Sequence, residues 1–267
     1  MADEMALFPE FDKLQIEVER MRTELSMLLL ERDELQFVIC RNIETQYMLK
    51  IGDIEYRVYE AQCAVLRLKR KLELIQSKQN RQEKIDIAEI ENMLNKEFSD
   101  YQKKLDEQIE KMNEALRWNE ATALSDNEEK KLKMLYHKLV KILHPDMNPQ
   151  ATDAQVELFE HALMAYQNGD LETMRLIDAM VGNGLQPEQS MNAIDQLKKE
   201  KQRLAELLDR VQKSVAKIKS EYPYTMKEVL EDEQKVQQIR QEYEDILDQY
   251  EEMVFLYRTK IEELLRC

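Results

Sequence analysis

The chain has 267 residues, 35% of them charged and 7% aromatic, with four glycines and five prolines. That usage describes long exposed helices with narrow apolar seams, not one compact core, and it leaves few places for tight turns. A formal net charge of −15 excludes a surface that tracks a phosphate backbone, which needs Lys and Arg clustered over a large face, so nucleic acid is not an expected partner.

The start, MADEMALFPEFDKL, has no basic region followed by an apolar stretch, and apolar patches such as the one around Met27 to Leu30 fall well short of the roughly 18 residues of a membrane span. No export signal or membrane contact is expected, and the reading is cytoplasmic. Cys40, Cys63 and Cys267 lie far apart and none belongs to a C-x-x-C pair. Reduced thiols are expected, with no zinc ribbon or redox motif.

From Leu14 the apolar residues Val18, Met21, Leu25, Leu28 and Leu35 keep the three-four spacing of a coiled-coil seam. Gly52 and Asp53 supply a turn. A second seam follows through Ile54, Val58, Ala61, Val65, Leu68, Leu72 and Ile75, so residues 1–84 are predicted to be an antiparallel coiled-coil hairpin. Tyr56, Tyr59, Cys63 and Leu66 widen the second helix's apolar face beyond what one partner needs, which calls for a third helix. That helix is read in residues 85–123, after the polar interval 76–84, from the spacing of Ile87, Ile90, Leu94, Phe98, Tyr101, Leu105, Ile109, Met112 and Leu116. It packs on the hairpin and leads into the central region, with Trp118, the single tryptophan, expected between the two.

Ser125 or Asp126 caps a new helix, with Glu128 and Glu129 at the positive end of its dipole. It carries Lys130, Lys131, Lys133, Lys138 and Lys141, whereas residues 142–197 hold one basic residue, Arg175. Leu132, Leu135, Leu139 and Ile142 form its apolar side, so the lysines stand free to attract an acidic partner surface. Pro145 stops the helix and pushes His144 out of the α region, placing His144-Pro145-Asp146 on the exit loop. A second helix begins near Thr152 or Asp153 with Val156, Phe159, Ala162, Leu163 and Tyr166 on one side, giving an antiparallel pair with His-Pro-Asp at its tip. No Cys, third His or nucleophile pattern converges on His144 and Asp146, so neither an enzyme nor a metal site nor a cofactor is expected. His137 and His161 read as surface or packing residues, and the 15 methionines as gap fillers.

The stretch VGNGLQPEQS, residues 181–190, is the best domain boundary in the chain. Beyond it Ile194, Leu197, Leu204, Leu208, Val211, Val215 and Ile218 keep heptad spacing. Pro223 breaks that helix, and Val229, Val236, Ile239, Tyr243, Ile246, Tyr250, Met253 and Tyr257 form a last seam. Residues 184–267 are therefore predicted to be a second antiparallel hairpin. The fold class is all-α, with the heptads silent on whether each coil closes on itself or builds a homo-oligomer.

Residues 124–183 resemble the J-domain of DnaJ-type co-chaperones. The family's second helix commonly reads Tyr-Arg-Lys-Leu-Ala, three residues and His-Pro-Asp; here Tyr136-His-Lys-Leu-Val-Lys-Ile-Leu-His144-Pro145-Asp146 keeps the register. The loop HPDMNP is similar to the family's HPDKNP, with Met147 in place of Lys. The third helix of the family places Phe, an aliphatic and Ala-Tyr where this chain has Phe159, Ala162, Ala165 and Tyr166. A Tyr-x-x-Leu-Gly first helix is not visible, and the helix ending near Leu116 is read as its stand-in. The segment NGDLETMRLIDAM replaces the usual fourth helix without its basic motif, and there is neither a Gly/Phe-rich stretch nor a set of zinc-binding cysteines.

The resemblance implies stimulation of ATP hydrolysis by a DnaK-class chaperone. His144, Pro145 and Asp146 with Lys131, Lys138 and Lys141 would be the docking residues, and Tyr136, Leu139, Phe159, Ala162 and Tyr166 the supporting core. The coiled coils would then bind a client, set location or mediate self-association. The rival reading is a structural or adaptor coiled-coil protein whose J-like insert is inactive.

Overall fold

A computed structural model describes residues 2–120, 124–181 and 193–266. The expected all-α class holds, and no described residue is in a strand. Helical backbone runs without a break from α1 (Ala2–Glu34) through a π turn (Leu35–Ile39), α2 (Cys40–Tyr47), a second π turn (Met48–Gly52) and α3 (Asp53–Asn80). Then come α4 (Ile87–Glu97), α5 (Ser99–Glu120), α6 (Asp126–Leu143), α7 (Asp153–Gln167), α8 (Leu171–Val181), α9 (Ala193–Ser220), the single turn α10 (Lys227–Leu230) and α11 (Glu233–Arg266). None of these helices is long and apolar enough to cross a membrane. The proposed boundary at 181–190 lies, apart from Val181, outside the described residues.

The expected turn at Gly52 and Asp53 is not there. Gly52 has helical torsions, φ −58° and ψ −30°, and the helix simply continues. One glycine costs a helix interior only about 1 kcal/mol, and no proline enforces a stop. The glycine serves close packing instead: a Cβ at this position would lie 3.0 Å from Met48 Sδ and 3.8 Å from Met112 Cε of α5.

Without that turn the predicted hairpins do not form, and the chain divides into two compact units, residues 1–41 with 122–225 and residues 42–121 with 226–267. In the first, α1 pairs with α9. Its ion pairs run Glu17–Lys201 at 2.8 Å, Arg22–Glu200 at 3.2 Å and Glu31–Lys219 at 2.7 Å, so the two helices are parallel. In the second, α3 pairs with α11, again in parallel, from Lys50–Glu233 at 3.4 Å and Asp53–Arg240 at 2.6 Å to the cluster of Leu72, Ile75 and Ile261. These half-exposed pairs report direction and add little stability; Val18, Leu25, Leu29, Leu204 and Val211 do the burying in the first unit. Residues 1–84 and 184–267 are thus not two hairpins but strands of two mixed pairs. Heptads define a seam without naming its partner, and here each seam of the first third meets one from the last.

The third helix expected on α3 is present. Helices α4 and α5 return antiparallel to α3, as Lys78–Glu89, Arg67–Asn95 at 2.8 Å and Trp118 Nε1–Asn42 Oδ1 at 2.8 Å trace. Ile90 and Leu94 are fully buried there against Leu72 and Ile75. Trp118 therefore anchors α5 to α2 within the second unit, not to the central pair.

Candidate functional site

Local signals position the central helices. Ser125 caps α6 in a capping box, its hydroxyl accepting from the Glu128 amide while the Glu128 carboxylate accepts from the Ser125 amide. Thr152 and Gln155 repeat the device at α7. Helices α6, α7 and α8 pack on one another and, through a single core, on Leu25 and Leu29 of α1 and Leu204 and Leu208 of α9. The first helix of this bundle is thus α1 with α9, and α5, read from sequence as the stand-in, lies in the other unit.

All five expected core residues are buried: Tyr136, Leu139, Phe159, Ala162 and Tyr166. Tyr136 stacks on Tyr166 with ring centroids 4.2 Å apart and on Phe159 at 6.4 Å. Its hydroxyl donates at 2.6 Å to Oδ2 of Asp33, a fully buried carboxylate on α1 whose Oδ1 accepts from Arg32 at 2.6 and 2.8 Å. Burial and the Asp33 charge push the Tyr136 hydroxyl far above its ordinary range, so it stays protonated and keeps donating.

The His-Pro-Asp loop is held by backbone hydrogen bonds at His144 and Asp146. His144 ends α6 with φ −59° and ψ 127°, the extended value required before proline. Its carbonyl accepts from the amides of Met147 and Asn148, each at 2.9 Å. The Asp146 amide donates at 3.0 Å to His144 Nδ1, which places the ring proton on Nε2 in the neutral form. The imidazole is buried, edge-on to Phe159 at 4.8 Å. Burial lowers its pKa, with the Arg32 charge adding to that and Asp146 and Asp33 opposing it. Asn148 Nδ2 donates to the carbonyls of Ile142 at 2.7 Å and Lys141 at 3.2 Å, closing the end of α6.

Two further residues tie the loop down. Arg203 on α9 donates at 2.7 Å to the Asp146 carbonyl while its guanidinium grips Glu200 with two bonds of 2.8 Å, and Glu200 also accepts from Arg22 at 3.2 Å. The Arg203 bonds hold the Glu200 carboxyl below its usual range. Met147, where the family commonly has Lys, is buried in the shared core. Sequence reasoning missed Arg203, Glu200 and Asp33 because each lies on a coiled-coil helix far along the chain from the loop. The only local trace is polar residues inside heptad runs.

What remains accessible is the Pro145 ring, which is exposed, and the half-exposed Asp146 carboxylate, which accepts no hydrogen bond among the described residues. Of the expected docking lysines, Lys131 and Lys141 are exposed with no ion pair among the described residues. Lys138 pairs with Asp178 of α8 at 2.6 Å, and Lys133 with Glu34 at 2.5 Å. His137 meets Ser26 Oγ at 3.3 Å, a packing role, and His161 is exposed. The described residues contain no group of three or more His, Cys, Asp or Glu side chains suited to a metal ion. Compared with known proteins, the chain matches no family model, no curated protein and no solved structure.

Proposed function

We propose that the chain is a co-chaperone that stimulates ATP hydrolysis by a DnaK-class chaperone through the His144-Pro145-Asp146 loop. The observation that carries this reading is the division within the loop: its backbone and the His144 ring are fixed by Asp146, Asn148, Phe159 and Arg203, while the Pro145 ring and the Asp146 carboxylate remain open to a partner. A partner meeting such a loop has little ordering entropy left to lose at the contact. Lys141, one turn before it, and Lys131, further along α6, supply unpaired positive charge for an acidic surface. The protein itself would contribute no hydrolytic group, and the coiled-coil pairs are left for a client, for location or for self-association.

The adaptor reading keeps one observation of its own. Lys138 is already engaged by Asp178, and Met147 sits in the core in place of a lysine, so two cations of the family's docking face are absent or occupied. Single-turnover ATP hydrolysis by a DnaK-class chaperone, with and without this protein, separates the two. The co-chaperone reading expects acceleration that Asp146→Asn lowers at least about tenfold, a loss of ~1.4 kcal/mol in barrier reduction, with thermal melting little changed because that carboxylate accepts no hydrogen bond among the described residues. His144→Gln should also abolish acceleration, but its buried ring makes the melting control essential. Absence of acceleration by the folded wild-type chain would leave the adaptor reading standing.

A further inference from the structure

Helix α11 carries a feature that its pairing with α3 does not use. Met253, Val254, Phe255, Leu256 and Tyr257 are five consecutive apolar residues, and at 100° per residue they encircle the helix. A helix apolar on all sides is ordinarily covered on all sides. Here only one sector meets α3: Val254 and Tyr257 are half-buried, whereas Phe255 is 74% exposed, Leu256 49% and Met253 39%. Ile246, one heptad before Met253, is 38% exposed and extends the open stripe.

The charge on the N-terminal side of this girdle has one sign. Glu242, Glu244, Asp245, Asp248, Glu251 and Glu252 are all exposed, and no Lys or Arg occurs between Arg240 and Arg258. Gln238 and Gln241 donate to Glu242 and Asp245, but none of the six forms an ion pair among the described residues. Before this block on the same helix, Arg240 is engaged by Asp53 and Lys235 by Asp232.

We propose that residues 242–257 of α11 are a docking face for a basic amphipathic helix of another protein, its apolar stripe on Phe255 and Leu256 and its Lys or Arg residues along the preceding carboxylates. A second copy of this chain is the poorer occupant, because it would bring another six-carboxylate block to the same contact and the chain is net −15. The inference does not depend on the His-Pro-Asp loop, which lies in the other unit.

The test is fluorescence anisotropy of the full chain with a labelled synthetic 18-residue peptide that is leucine on one helical face and lysine on the other. Binding should weaken about tenfold or more between low and physiological salt, and by about tenfold in Phe255→Ser combined with Leu256→Ser. Met180→Ser, an exposed apolar residue on α8, should leave it unchanged, and a version of the peptide with glutamate for lysine should not bind. Both serine substitutions are at exposed positions, and a circular-dichroism melt confirms an intact fold. Equal binding by the double variant overturns the proposal. So does light scattering that finds a wild-type dimer which the double variant converts to monomer.

Discussion

At the scale of single residues, the central bundle depends on the buried hydrogen bonds that join Tyr136, Asp33 and Arg32. Removing the Tyr136 hydroxyl leaves Asp33 buried with Arg32 as its only remaining side-chain partner among the described residues, so Tyr136→Phe should cost about 1–3 kcal/mol in urea unfolding although the ring stack survives. Met147→Lys should destabilise by about 2–4 kcal/mol because the side chain enters the core; an unchanged urea midpoint would refute the loop docking described above. Acid acts through the histidines. Burial lowers the folded pKa of His144, and of His137 with help from Lys141, so below the ordinary value near 6.5 the unfolded chain takes up protons that the folded chain refuses. Stability is then complete above about pH 6.5 and falls as the pH drops toward the lower folded values. Urea midpoints at pH 7.5 and 5.5 should show the fall, and His144→Gln should reduce it.

At the scale of elements, beginnings and ends were legible and partners were not. Ser125, Thr152, Pro145 and Pro223 placed the boundaries of α6, the start of α7 and the end of α9, because capping and proline sterics act within a few residues. The buried faces of α6 and α7 were legible for the same reason. Gly52 misled: a glycine followed by aspartate resembles a turn, yet the helix continues through it, and a Cβ there would crowd only the flexible Met48 thioether. Gly52→Ala should therefore be neutral or stabilising by up to about 1 kcal/mol, with the flexible Met48 thioether moving aside, whereas Gly52→Pro should cost about 3 kcal/mol or more. A turn would give a different pattern, and thermal melts of the two variants decide it. The tie from Arg203 to Asp146 had no readable signal, since a heptad pattern does not specify which distant loop its polar positions will meet.

For the whole molecule, the first third is completed by the last, in parallel, in both units. A fragment of residues 1–84, which as a hairpin would fold alone, lacks both α9 and α11 and should show weak, non-cooperative helical circular dichroism that residues 193–267 added in trans restore. The −15 charge does not oppose this closure strongly, because Lys201, Lys219 and Arg240 stand opposite Glu17, Glu31 and Asp53. The same arrangement has a consequence during synthesis. At about 5–20 residues per second, α3 leaves the ribosome on the order of ten seconds before the first residue of α9 is made, and the apolar seam of α1 waits through that interval uncovered. Arg203 arrives later still, so the His-Pro-Asp loop receives its last tether only when translation is mostly done. A nascent chain of this protein exposes apolar surface through that period, the condition that makes an incomplete chain prone to aggregate.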